Sequence, residues 1–186
     1  MFWKKKTLVI ATVNARMMPI DRGDVFEDPL DEELKRLKFG RVTGGGTAMA
    51  ETMEVDHCDL EIQLTQNNQE SWDAITSFLE EAGAPKGSFL MVGEQKIPFG
   101  KTEGLAVYMN GTELAPEVYE SCDINHVYQE LNRLVEGEGM IYSHWEGPTE
   151  TAMYLYGVSF ESMKAKIQPL LDSYPLCEKC RVAQVA

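Results

Sequence analysis

The sequence predicts an α+β fold built from two copies of one β-α-β-β-α-β unit. Two observations carry this. Stretches that alternate apolar and polar residues sit beside stretches with apolar residues at helical spacing, in the same order in both halves. Between the halves, residues 93–102 hold two glycines, a proline and mixed charges, the composition of a connection.

Thr7–Ala15 is rich in β-formers and reads as the first strand. Asp28 and Pro29 open a helix, Asp28 as cap and Pro29 at the first helical position, with Asp31, Glu32 and Glu33 near its positive end. Leu30, Leu34 and Leu37 recur at helical spacing, and Gly40 closes the helix. Residues 41–49 read as a second strand interrupted by Gly44, Gly45 and Gly46. In the third, residues 56–65, Cys58, Leu60, Ile62 and Leu64 alternate with His57, Asp59, Glu61 and Gln63, so one face is buried and one polar. Ser71 caps a helix whose apolar stripe is Trp72, Ile75, Phe78, Leu79 and Ala82. Ser88–Val92 is the fourth strand.

The second half repeats the order. Residues 105–109 form a strand, Asn110-Gly111 a turn, and Asp123 caps a helix carrying Val127, Leu131 and Leu134. Residues 140–145 and 151–156 are strands joined across Gly147 and Pro148. Ser159 caps a helix with Phe160, Met163, Ile167 and Leu170 in register, which Pro169 should kink or end early. Residues 181–185 are the last strand. This order is that of a tandem ferredoxin-like fold, with antiparallel sheets and helices on one face. The expected division is a first repeat at 1–93, a linker at 94–102 and a second repeat at 103–186. The long connection 111–121 is a place to look for function.

The chain has 186 residues, 44% hydrophobic and 25% charged, and a net charge of −13. A chain of this size buries a core without disulfides. Such an acidic surface repels phosphate backbones and anionic membranes, so neither nucleic acid nor membrane is an expected partner. It attracts basic proteins, cationic ligands or divalent metals. The N-terminus, with Lys4, Lys5 and Lys6 before an apolar run, imitates an export signal. The run is too short, and Asn14 and Arg16 break it. The expectation is a basic lead-in to a first strand, in a cytoplasmic protein whose four cysteines, Cys58, Cys122, Cys177 and Cys180, are reduced thiols.

Four features are candidates for chemistry. Gly44, Gly45, Gly46 and Thr47 leave backbone open to close approach and to anion binding; the plain alternative is a glycine bulge. His57, Asp59 and Glu61 share a strand face, where a histidine beside two carboxylates can hold a metal or act as a base. In the second half Tyr142 and His144 fall on one strand face, followed by Trp145 and Glu146. Cys177 and Cys180 have C-x-x-C spacing, but a structural zinc site wants a second ligand pair, and the position after a helix is wrong for a thioredoxin-type motif. No metal and no cofactor is expected, and no motif ties the chain to a family.

These features favour a non-catalytic acidic binding protein, inhibitor- or immunity-like, with a basic protein partner. The acid-rich stretch from Asp21 to Glu33, with Arg22 as its opposing charge, is the support. The alternative is a small-molecule or metal-binding protein, or an enzyme, with its site in a cleft between the repeats, where the ligand-binding residues are Gly44, Gly45, Gly46, Thr47, His57, Asp59, Glu61, His144, Trp145 and Glu146. A third reading is a homo-oligomer or assembly subunit joined through strand edges.

Overall fold

The computed structural model describes residues 6–186; the rest of the expected basic lead-in lies outside the described residues. The chain divides into two units between Lys101 and Thr102. The first contains β1 (Thr7–Val13), α1 (Pro19–Arg22), a π-helical turn (Gly23–Glu27), α2 (Asp28–Leu37), β2 (Gly40–Met49), β3 (Val55–Leu64), α3 (Gln69–Glu81), β4 (Ser88–Val92) and β5 (Gln95–Phe99). The second contains β6 (Glu103–Asn110), α4 (Pro116–Ser121), α5 (Ile124–Leu134), β7 (Gly139–Glu146), β8 (Glu150–Gly157), α6 (Phe160–Ser173) and β9 (Arg181–Gln184).

The strand orders are β2-β3-β1-β4-β5 and β7-β8-β6-β9, with every neighbouring pair antiparallel. Setting β5 aside, both read second, third, first, fourth, so the fold is a duplicated ferredoxin-like unit.

The alternation seen in the sequence sets the first core. Val9, Ala11 and Val13 of β1 pair with Ile62, Leu60 and Cys58 of β3, and all six are buried. Leu30 and Leu34 of α2, and Ile75 and Leu79 of α3, are buried with them. In the second unit Leu105, Val107, Leu155 and Ile141 pack with Val127 and Leu131 of α5 and Met163 and Ile167 of α6. Asp123 caps α5 and Ser159 caps α6, as their sequence positions predict.

Several elements depart from expectation. Residues 95–99, expected within a linker, form β5, which pairs with β4 from Val92–Gln95 to Ser88–Phe99. Gly93, at φ 60°, supplies the tight turn. Pro98 is tolerated because β5 is an edge strand, where a missing N–H breaks no ladder.

Helix also begins earlier than Asp28, at Pro19. Pro29 has no N–H to give its preceding turn. The π turn just before it, where the Asp28 N–H donates to the Gly23 carbonyl, absorbs an extra residue and lets the helix continue.

The left-handed residue that ends α2 is Lys38, not Gly40. Gly40 serves another need, since a Cβ there would sit 2.3 Å from the Gln63 carbonyl oxygen. The cap of α3 is Asn68 rather than Ser71. Its side chain accepts from the Ser71 N–H (3.0 Å), while the Ser71 hydroxyl accepts from the Asn68 N–H (3.3 Å). Trp72, expected in the core, is half-buried, its indole N–H on the Asn67 side chain (2.8 Å). Past Pro169, α6 runs on to Ser173.

Candidate functional site

The glycine run divides between the two faces of the first sheet. Gly44 pairs with Glu61, Gly46 with Asp59 and Ala48 with His57, so these six residues share the face turned away from the helices. The Thr12 hydroxyl donates to Asp59 at 2.6 Å and fixes its carboxylate. His57 is half-buried, with Nδ1 2.8 Å from the Asp56 carboxylate. Gly44 and Gly46 leave this face bare: a Cβ would meet nothing closer than 3.5 Å at Gly44 and 3.9 Å at Gly46. The register also slips between Val42 and Gly44, a bulge at the head of the run.

Gly45 and Thr47 face the helices instead, because they pair with the buried Leu60 and Cys58. A Cβ on Gly45 would lie 2.2 Å from a Glu27 carboxylate oxygen and 2.9 Å from the Arg22 side chain. The glycine makes room for a buried charge. Arg22, 8% exposed, binds Glu27 and donates to the Thr47 hydroxyl at 2.5 Å. A buried guanidinium needs such partners, because desolvation without them costs several kcal/mol, in order of magnitude. Arg22 reads in the sequence as one cation among seven acids; the structure uses it inside.

The remaining acids of this stretch divide the same way. Lys35 binds Asp31, whose other oxygen accepts the Val42 N–H at 3.0 Å. Arg36 forms a two-pronged pair with Glu33 at 2.6 Å, which holds that carboxyl below its ordinary value. Asp24, Asp28 and Glu32 are exposed. Arg22, Phe26, Leu30 and Leu34 are buried at the same spacing of four, so the three exposed acids lie together on the outward side.

In the second unit a bulge between Ile141 and Ser143 overturns the expectation that Tyr142 and His144 share a face. Tyr142 turns to Tyr156, ring centroids 5.3 Å apart, and burial pushes its phenol up. His144 pairs with Met153 of the helix-side core and is exposed. Trp145 pairs with Ala152 on the other face, and Glu146 is exposed. The structure therefore brings Gly44, Gly46, His57, Asp59 and Glu61 together, and sets Gly45 and Thr47 on the opposite face. His144, Trp145 and Glu146 alternate along β7 of the second unit.

Cys177 and Cys180 end a tight turn, with the Cys180 N–H on the Cys177 carbonyl at 3.1 Å. Lys179 takes the left-handed position (φ 59°) that glycine usually fills. Its amine reaches the Glu113 carbonyl at 3.0 Å, fastening the turn to the connection after β6. The turn borders an open groove of about 620 Å³. Burial pushes the Cys177 thiol up to about 12, with Cys180 and Cys122 contributing, and raises the Cys180 thiol too. Cys122, remote in sequence, thus reaches the neighbourhood of this pair. Burial thus favours the protonated thiol over the thiolate, the form that acts as a nucleophile. Among the described residues no group of three or more His, Cys, Asp or Glu side chains is placed to hold a metal ion. Nor is any helix among them long and apolar enough to cross a membrane.

No family model matches this chain, and no curated protein sequence matches it. Solved structures that match include the first two RRM domains of yeast poly(U) binding protein, at 9% identity and a TM-score of 0.27, covering 96% of this chain and 99% of that one. A protein from Fusobacterium nucleatum, provisionally assigned as a monooxygenase, matches at 10% identity and 0.32, covering 98% and 92%. One from Lactobacillus acidophilus with the same provisional assignment matches at 10% and 0.32, covering 97% and 94%. Identities of this size say nothing of function, and the fold assignment rests on the strand orders given above.

Proposed function

We propose that this chain is a non-catalytic binding protein that docks a basic protein through the acidic helical crossover of its first unit. The observation that carries the reading is the exposed stripe of Asp24, Asp28 and Glu32. Neighbouring acids on the same helix are paired with Arg22, Lys35 and Arg36, so the stripe stands as a separate row of carboxylates. On a chain of net charge −13, such a row steers a basic surface toward one face and raises its encounter rate.

The test isolates the chain with its partner from host extract under gentle conditions and weighs the complex by native mass spectrometry. The baits are the wild type, an Asp24→Asn/Asp28→Asn/Glu32→Gln variant, and a Glu70→Gln/Glu94→Gln/Glu117→Gln control with the same change in charge. A basic protein held at fixed stoichiometry by wild type and control, and lost from the stripe variant, is the expected result. Equal retention by all three, or no basic partner, overturns the reading.

A second reading is a small-molecule site on the first sheet, supported by the shared face of Gly44, Gly46, His57, Asp59 and Glu61. If a bound small mass accompanies the isolated chain, alanine at His57, Asp59 and Glu61 should abolish its binding and leave the fold intact. Unchanged binding removes this reading.

A further inference from the structure

We propose that the partner engages this chain through a basic amphipathic helix, seated on a methionine-rich surface at one end of the first sheet. The proposal rests on the reading above that the partner is basic.

The surface is assembled by strand register. β1 leaves the sheet after Val13, which pairs with Cys58 near the start of β3. Thr47 of β2 also pairs with Cys58, and Met49 pairs with Val55. The segment after β1 and the turn between β2 and β3 therefore meet at the same end. Three contacts hold them together. Arg16 bridges to Glu54 at 2.5 Å, Arg22 reaches Thr47 at 2.5 Å, and the Cys58 thiol lies 3.4 Å from the Met17 carbonyl.

On this scaffold four large apolar side chains face water. Met18 is 43% exposed, Ile20 78%, Met49 53% and Met53 68%. Single exposed apolar residues need no explanation, but several gathered at one end of a sheet do. Three of the four are methionines, whose unbranched, polarisable chains remould around different apolar partners. Met53 also holds φ at 66°, a conformation disfavoured for a side chain of its size. The turn keeps that unfavourable backbone while presenting Met53 outward.

Charge selects the occupant. Asp24, Glu51 and Asp56 are exposed around this end, with Asp21 half-buried beside Ile20. The arginines here, Arg16 and Arg22, are bound to Glu54 and Glu27. An apolar seat with a carboxylate rim fits a helix carrying apolar residues on one face and lysines or arginines on the other. It disfavours an acidic or wholly apolar segment. The seat adjoins the start of the acidic stripe, since Ile20 and Asp24 lie on the same helical run.

The probe is a synthetic leucine–lysine peptide of about 18 residues, about five helical turns, with leucines at helical spacing. The comparison is the same composition scrambled. Calorimetric titration of the full chain should show the patterned peptide binding at least about tenfold more tightly, roughly what burying one such side chain supplies. An Ile20→Ser/Met49→Ser/Met53→Asn variant should erase that preference with an unchanged circular dichroism spectrum; asparagine at 53 suits the left-handed backbone. The Asp24→Asn/Asp28→Asn/Glu32→Gln variant should weaken both peptides alike. Equal binding of the two peptides by wild type removes the apolar seat but leaves the basic-partner reading standing. Binding of neither removes both. A preference that survives in the Ile20/Met49/Met53 variant overturns the assignment to this surface.

Discussion

The two units share a strand order but not a use of the sheet face turned away from the helices. In the first, β1 alternates: Leu8 and Ile10 are exposed while Val9, Ala11 and Val13 are buried. In the second, β6 is buried from Gly104 to Met109 and β8 from Ala152 to Gly157. There the helix-averted residues Tyr108, Tyr154 and Tyr156 form an aromatic layer. Tyr108 and Tyr154 meet edge to face at 6.4 Å, and the Arg181 guanidinium stacks 3.5 Å over Tyr108. Topology alone therefore does not fix which surfaces a duplicated unit offers. The copy with glycine, charge and isolated aliphatics on that face leaves it open, and in the copy with tyrosines there the face is buried.

The largest test of this contrast removes one side chain from each face. Tyr154→Ala should cost about 3–5 kcal/mol in urea unfolding, the loss typical of a buried aromatic. Leu8→Ala should cost about 0.5 kcal/mol or less, as exposed sites do. Equal losses would mean that the two faces are energetically alike.

A smaller effect should separate the two faces of the first sheet itself. Gly45→Ala puts a methyl against the Arg22–Glu27 pair and the Asp59 backbone, and should cost about 1–3 kcal/mol. Gly46→Ala, where the nearest atom is 3.9 Å away, should stay within about 0.5 kcal/mol. Thermal melts of the two variants side by side give the answer, and a costly Gly46→Ala would show that the open face is not open.

The smallest effect concerns a carboxylate clamp in each unit. Glu80 lies below its ordinary value, chiefly through its bond to Lys101, helped by the Gly100 N–H. Glu138 lies low through the Ser162 hydroxyl and then Lys166. A carboxyl depressed on folding contributes stability above its unfolded value and loses it as pH falls through the folded one. Both clamps should therefore weaken on acidification. Glu80→Gln should remove part of the pH dependence between about pH 6 and about pH 3, and Glu138→Gln another part. Both groups meet solvent, so the change is small. A variant melting curve that falls with pH as steeply as the wild type would deny that clamp a role.

Much of the fold was legible because its signals are local. Alternation in β3 named the buried Cys58, Leu60, Ile62 and Leu64, and Asp123 and Ser159 announced their helices. Where a second local signal competed, the reading slipped. Asp28 and Pro29 look like a helix start, and only a π turn, invisible to 3.6-residue spacing, lets helix run through them from Pro19. Two glycines, a proline and mixed charges look like a linker, yet Gln95–Phe99 finds a partner in β4. The candidate site was less legible still. His57, Asp59 and Glu61 share a face because strand period is intrinsic to the chain, whereas the bulge at Tyr142 that parts it from His144 depends on pairing with β8. The exposed methionines carried no sequence signal, since an apolar residue in a loop does not reveal whether it is covered.

The sequence by itself determined the β-α-β-β-α-β order common to both units, the buried face of β3 and the apolar stripes of α2, α5 and α6, and the acidity of the whole, all of which follow from residue chemistry and spacing of a few positions. Tertiary structure alone decided that Gly45 clears space for Arg22, that β5 extends the first sheet, that Cys122 comes near Cys177, and that Met18, Ile20, Met49 and Met53 gather at one end. Each of these joins residues distant in sequence, and their meeting is set by strand register and packing, which no local spacing encodes.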